Sequence, residues 1–139
     1  MAEVTGSSPV SSTISLARIV LIDDDHQIVA LLTEVLSHHG HQVMAAADGR
    51  VGLRLIAEHH PDLVITDIFL PEIDGLEVIW RLRNEPGLKV IALSGGGQLG
   101  DLQFLKHARL FGAIRTMTKP LDLDALVRVV DELLQDPNS

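Results

Sequence analysis

Asp23, Asp24 and Asp25 stand side by side, and Asp67 follows a run of apolar residues. Ser94 heads Gly95-Gly96-Gly97, and Lys119 precedes Pro120. Carboxylates gathered in one pocket repel one another, by about a few kcal/mol per pair at an effective dielectric of ~20. A hard divalent cation offsets that repulsion. Mg²⁺ suits the task, because it is held by carboxylates together with phosphate and water. A lysine adds a second positive charge and a serine hydroxyl adds a donor. Carboxylate, Mg²⁺ site, lysine and hydroxyl together describe a phosphoryl-transfer centre with Asp67 as its nucleophile. The chemistry requires a fold that brings four distant segments together.

The elements flanking these residues supply such a fold. Ile19 to Ile22 is a β-branched run ending in acids, which predicts a strand. Ile28, Leu31, Leu32, Val35 and Leu36 recur at helical spacing, with Gly40 placed to close the helix. His41 to Ala46 predicts a second strand, and Val51, Leu55 and Ile56 a second helix ending before Pro61. Leu63-Val64-Ile65 is a third strand running into Asp67. Leu76, Ile79, Trp80 and Arg83 mark a third helix, expected to stop near Pro86-Gly87. Lys89 to Leu93 is a fourth strand, and Leu102, Leu105 and Ala108 a fourth helix with Gly112 beyond its end. Ile114 to Thr118 is a fifth strand. Leu123, Leu126, Val127, Val130 and Leu134 form the last helix, N-capped by Asp122 and closed by Pro137.

The strands are apolar without alternation, as when helices cover both faces of a parallel sheet. The expected fold is therefore α/β, a doubly wound (βα)5 sheet with right-handed crossovers. Such a sheet carries its site at the carboxyl ends of the strands, near the switch in strand order. Asp23 to Asp25, Asp67, Ser94 and Lys119 all fall at strand ends.

Composition excludes other classes. With 139 residues there is room for one ordinary domain. Residues 1–16, rich in Ser, Thr, Gly and Pro, read as a disordered leader or a start-site extension. The domain then runs over 17–135, with a tail at 136–139. A net charge of -8 argues against direct nucleic-acid binding. The absence of cysteine rules out thiolate metal sites and cysteine catalysis. No apolar run approaches a membrane span, and the first residues lack the basic start and apolar stretch of a signal peptide, so the expectation is cytoplasmic. The charge is polarised. Residues 23–77 hold 11 acids against Arg50 and Arg54, while 101–119 hold Asp101 against Lys106, Arg109, Arg115 and Lys119.

The runs IVLIDDD at 19–25, DLVITDIFLPEIDG at 62–75, VIALSG at 90–95 and TKPLD at 118–122 carry a resemblance. Together they look like the CheY-like receiver domain of two-component response regulators. The spacings fit as well: 43 residues from Asp24 to Asp67, 27 to Ser94 and 25 to Lys119. The resemblance implies a flavodoxin-like strand order 2-1-3-4-5. It implies that Asp67 accepts a phosphoryl group from a histidine kinase or histidine phosphotransfer protein in a phosphorelay. It implies Mg²⁺ held by Asp23, Asp24, Asp67 and the backbone carbonyl of Phe69. Ser94 and Lys119, with Gly95, would bind the phosphoryl group, and a cis bond would precede Pro120. Such a domain is not an enzyme beyond transfer to its own aspartate and slow loss of the phosphoryl group. Its downstream partner would dock at the face formed by the fourth helix, the fifth strand and the last helix. The basic residues there suit an acidic partner surface.

One position departs from the family. Receivers usually place an aromatic residue three before the lysine. Here that position is Thr116, and the chain has no Tyr. Switching is expected to use the Thr116 hydroxyl or the Gly-rich loop and fourth helix. The length leaves no output domain after 135, so the expectation is a stand-alone receiver or a piece of a longer protein.

Simpler roles compete for several residues. Asp25 caps a helix, Asp74-Gly75 reads as a turn, and the glycines after Ser94 lack a nucleotide-binding pattern. His38, His39, His41, His59 and His60 read as helix-end cations rather than metal ligands. Two whole-protein alternatives stand beside the receiver: a receiver-like docking module that is not phosphorylated, and a haloacid-dehalogenase-type phosphohydrolase. The latter needs Thr or Val where the chain has Gln27.

Overall fold

A computed structural model describes residues 17–95 and 101–135, with the side chains of Asp101 and Leu102 excepted. Five strands alternate with five helices. They are β1 (Arg18–Ile22), α1 (His26–His38), β2 (Gln42–Ala46), α2 (Gly49–His59), β3 (Leu63–Asp67), α3 (Gly75–Leu82), β4 (Lys89–Ser94), α4 (Asp101–Phe111), β5 (Arg115–Thr118) and α5 (Leu123–Gln135). All pairings are parallel and the order is β2-β1-β3-β4-β5. This is the doubly wound sheet expected from the sequence, and its switch in order lies between β1 and β3.

The uninterrupted apolar strands are explained by two cores. Alternate residues of each central strand point to opposite faces. Val20, Ile22, Val64, Val90 and Ala92 join Ile56, Val78, Ile79, Leu82, Leu105 and Ala108, so α2, α3 and α4 cover one face. Ile19, Leu21, Leu63, Ile65, Ile91 and Leu93 join Leu32, Leu36, Leu126, Val130 and Leu133, so α1 and α5 cover the other. Each fully buried Leu or Ile contributes about 1.5–3 kcal/mol relative to exposure.

Aspartates start the first three helices. Asp25 accepts from Gln27 N and Ile28 N, Asp48 from Val51 N, and Asp74 from Glu77 N. Asp122 accepts from Ala125 N at α5, the capping role expected of it. Each satisfies amides that the first helical turn leaves without partners.

Three local readings are corrected. The third helix ends at Leu82, short of Pro86. Arg83 N bonds Trp80 O and Glu85 N bonds Leu82 O, turns that unwind the helix. Glu85 precedes a proline, which disfavours helical backbone there. His41 is not a helix-end cation. It is 7% exposed, lies outside both α1 and β2, and its Nε2 is 4.0 Å from Asp131 on α5. His60 lies beyond the last turn of α2, as a left-handed cap with φ 49°. His38 and His59 do occupy last turns. Residues 1–16, expected as a leader, and Gly96, Gly97 and Pro137 lie outside the described residues.

Candidate acidic phosphoryl-transfer site

The carboxyl ends of β1, β3, β4 and β5 bring the sequence-selected residues to one edge of the sheet. Asp67 and Ser94 are the last residues of β3 and β4, one position earlier than residues just outside a strand. Ser94 is fully buried, pairs with Thr118 across the ladder, and its carbonyl accepts from Lys119 N at 2.8 Å. That last bond fixes where the lysine leaves β5.

Asp23 is 1% exposed and Asp67 7% exposed, while Asp24 is exposed. One oxygen from each of the three lies within 4.8 Å of the others. Asp23 Oδ1 accepts from Asp25 N at 2.9 Å, so a turn beyond β1 aims this carboxylate. Lys119 Nζ stands 2.8 Å from Asp23 Oδ2 and 3.1 Å from Asp67 Oδ2. One cation thus bridges two buried acids.

The electrostatics follow. Burial pushes the Asp67 carboxyl above its usual range, Lys119 pulls it back, and the Asp23 charge adds to the rise. Burial alone would lower Lys119, but hydrogen bonding and charge from Asp23 and Asp67 outweigh it and hold the ammonium above its ordinary value. The lysine stays charged and the Asp67 carboxylate is made more basic. Three carboxylates with one partial counter-charge form a hard, oxygen-only donor set. Two are fixed by burial and one faces solvent where water can complete a shell. That set fits Mg²⁺.

The remaining selected residues sit around this centre. Phe69 follows Asp67 by two positions in the loop to α3, with its ring half exposed. Gly95 is exposed immediately after β4. The Lys119-Pro120 bond is cis. Thr116 is half-buried on the edge strand, paired with Ala92. His26 begins α1 and is exposed.

Sequence reasoning read Gly75 as a turn residue and passed over Gly49, and anticipated neither close backbone approach. A Cβ on Gly75 would fall 2.0 Å from the Asp67 carbonyl oxygen and 2.7 Å from Ile68 Cα. Gly75 N also donates to Ile68 O at 2.7 Å. The residue therefore does more than turn the chain, because it allows α3 to start against the backbone at the end of β3. A Cβ on Gly49 would likewise strike the Ile73 carbonyl oxygen. The signal was the repeated Asp-Gly pair at 48–49 and 74–75. Thr66 Oγ1 donates to Asp67 O at 2.9 Å, a buried bond without a sequence signature.

The comparisons agree with this geometry. The family model for the response regulator receiver domain matches residues 19–131. Sporulation initiation phosphotransferase F of Bacillus subtilis is 30% identical over 118 residues, covering 84% of this chain and 93% of that protein. Transcriptional regulatory protein GlrR of Escherichia coli is 34% identical over 120 residues. That match takes in 86% of this chain, which spans only 26% of GlrR. A CheY-like receiver domain from Methanospirillum hungatei superposes with a TM-score of 0.78 at 30% identity, covering 89% of this chain and 98% of that one. Receivers of this kind are in general not enzymes in their own right, and neither alternative class is favoured beside them. With acids, lysine and serine meeting at the strand ends of a 2-1-3-4-5 sheet, the chain belongs to the response regulator receiver domain family.

Proposed function

We propose that Asp67 is the phospho-acceptor of this receiver, charged by a histidine kinase or a histidine phosphotransfer protein. The observation that carries the reading is the Lys119 ammonium held between Asp23 and Asp67. An Asp67 oxygen attacks the donor phosphorus, the bond from phosphorus to the donor histidine nitrogen breaks, and that nitrogen keeps the electron pair. Asp23, Asp24, Asp67 and the Phe69 carbonyl would hold Mg²⁺. When bound, the metal neutralises the carboxylates and the non-bridging phosphoryl oxygens.

Lys119 Nζ already lies 3.1 Å from an Asp67 carboxylate oxygen, so it can move with the added negative charge at little reorganisation cost. Ser94, at the end of the neighbouring strand, supplies its hydroxyl to a phosphoryl oxygen. Gly95 lets the chain approach that group without a side chain in the way. The same centre would release the phosphoryl group slowly to water, without turning over an external substrate.

Output would leave through the β4-α4 loop and the α4-β5-α5 face. Lys106, Arg109 and Arg115 are exposed there, which suits an acidic protein partner. No helix among the described residues is long and apolar enough to cross a membrane. Intact-mass spectrometry after acetyl phosphate and Mg²⁺ tests the reading. One phosphoryl addition is expected, lost in Asp67→Asn; equal addition to that variant removes the assignment.

A further inference from the structure

The chain contains three Phe, one Trp and no Tyr. All four rings lie in one seam between the Asp67 loop, α3 and α4. Phe69 meets Phe104 edge-on, with centroids 4.9 Å apart. Phe104 meets His107 at 6.5 Å, and His107 stacks on Phe111 at 6.3 Å with planes 15° apart. Phe111 meets Trp80 edge-on at 5.3 Å. The Arg83 guanidinium lies 3.8 Å from the Trp80 ring centre and closes the series. Phe69 and Trp80 remain 48% and 44% exposed, so burial alone does not account for their placement.

This seam starts two residues from Asp67 and ends in a cleft of about 320 Å³ lined by Asp74, Leu76, Glu77, Trp80 and Phe111. Meanwhile β5, where the family usually carries its aromatic switch, has Thr116. We propose that the ring series Phe69–Phe104–His107–Phe111–Trp80 couples the state of the Asp67 pocket to the α3–α4 cleft. The proposal rests on the reading of that pocket as a Mg²⁺-dependent phosphoryl site. Loading the pocket draws on the backbone of Phe69 and so shifts its ring against Phe104. Aromatic pairs have preferred edge and stacked arrangements. Packed side chains with discrete arrangements can carry coupling between sites. A shift at Phe69 is thereby passed along α4 to Trp80. The competing route runs through the backbone from Phe69 directly into α3, bypassing α4 altogether.

Trp80 is the sole Trp, so its emission reads the far end of the series without interference. The experiment loads the full chain with Mg²⁺ and beryllofluoride, following bound fluoride by ¹⁹F NMR and Trp80 by fluorescence. Wild type is expected to show both signals over one titration. Phe104→Leu, and His107→Ala at an exposed position that spares the fold, should load at the same Mg²⁺ concentration. Each should lose at least about half of the Trp80 change, as expected when a link in a packed series is cut. A full Trp80 change in both loaded variants would overturn the series in favour of the α3 route. Loading of wild type with no Trp80 change would overturn any coupling to the cleft. Absence of bound beryllofluoride would instead bring down the reading of the pocket, and the series with it.

Discussion

Lys119 Nζ donates to Asp67 Oδ2 at 3.1 Å across 52 residues of sequence. The same nitrogen lies 2.8 Å from Asp23. The lysine and a bound divalent cation therefore offset the same carboxylates and must compete electrostatically. Lys119→Met is expected to bind Mg²⁺ more tightly than wild type, by several-fold, while accepting phosphoryl groups poorly. Isothermal titration and acetyl phosphate labelling measure the two effects. Weaker Mg²⁺ binding in Lys119→Met would contradict the shared-charge account.

Metal binding should also be visible as stability. A ligand that binds only the folded state stabilises it by about 2.7 kcal/mol at a concentration ~100 times its dissociation constant. Thermal melts are expected to rise with Mg²⁺ in wild type and much less in Asp24→Asn. Asp24 is exposed, so its replacement should leave the metal-free melt nearly unchanged. An equal Mg²⁺ response in that variant would remove Asp24 from the ligand set.

Gly75→Ala places a methyl 2.0 Å from the Asp67 carbonyl oxygen, and backbone cannot move aside as a side-chain tip can. Overpacking of this kind costs about 1–3 kcal/mol. Urea denaturation should show at least that loss, together with slower phosphoryl acceptance because β3 shifts. At Gly87 a Cβ meets nothing within 4 Å, so Gly87→Ala carries only the strain of its φ of +75°. It should leave acceptance intact. Normal acceptance in Gly75→Ala would show that the close approach has no bearing on the site.

His41 gives a pH signature independent of the site. Burial lowers its pKa below 6.5, the Asp131 charge opposes this, and His39 adds to the lowering. The folded state therefore favours the neutral ring. As pH falls below about 6.5 the unfolded chain takes up the proton first, so stability declines through that window and is fully present above it. The slope is bounded by about 1.36 kcal/mol per pH unit. Denaturation curves on either side of the window should show a decline that His41→Asn reduces. An identical decline in the variant would place its origin elsewhere.

The strands and the chemistry at their ends were legible because one physical rule links them. A parallel sheet buried on both faces needs unbroken apolar runs, and its loops at the carboxyl ends carry the polar residues. Asp23, Asp67, Ser94 and Lys119 could be read from that rule together with the family spacing. His41 was misread because polarity beside a glycine suggests a helix end, whereas the residue is buried with its ring facing Asp131 of α5, nearly the whole domain away in sequence. The stop of α3 was misplaced because Pro86 is the visible breaker, while the backbone turns around Arg83 act first. Gly75 and the aromatic seam escaped because they depend on contacts between segments. No periodicity within one segment shows that a Cβ would strike the Asp67 carbonyl, or that Phe69 meets Phe104.

The most direct test is to locate the acyl phosphate itself. After exposure to Mg²⁺ and acetyl phosphate, borohydride reduces a phosphorylated aspartate to homoserine, which tandem mass spectrometry places in the sequence. The structure predicts homoserine at position 67 alone, dependent on Mg²⁺. Homoserine at position 23 or 24, or none at 67 under conditions that add a phosphoryl group to the chain, would contradict the assignment of Asp67 as acceptor.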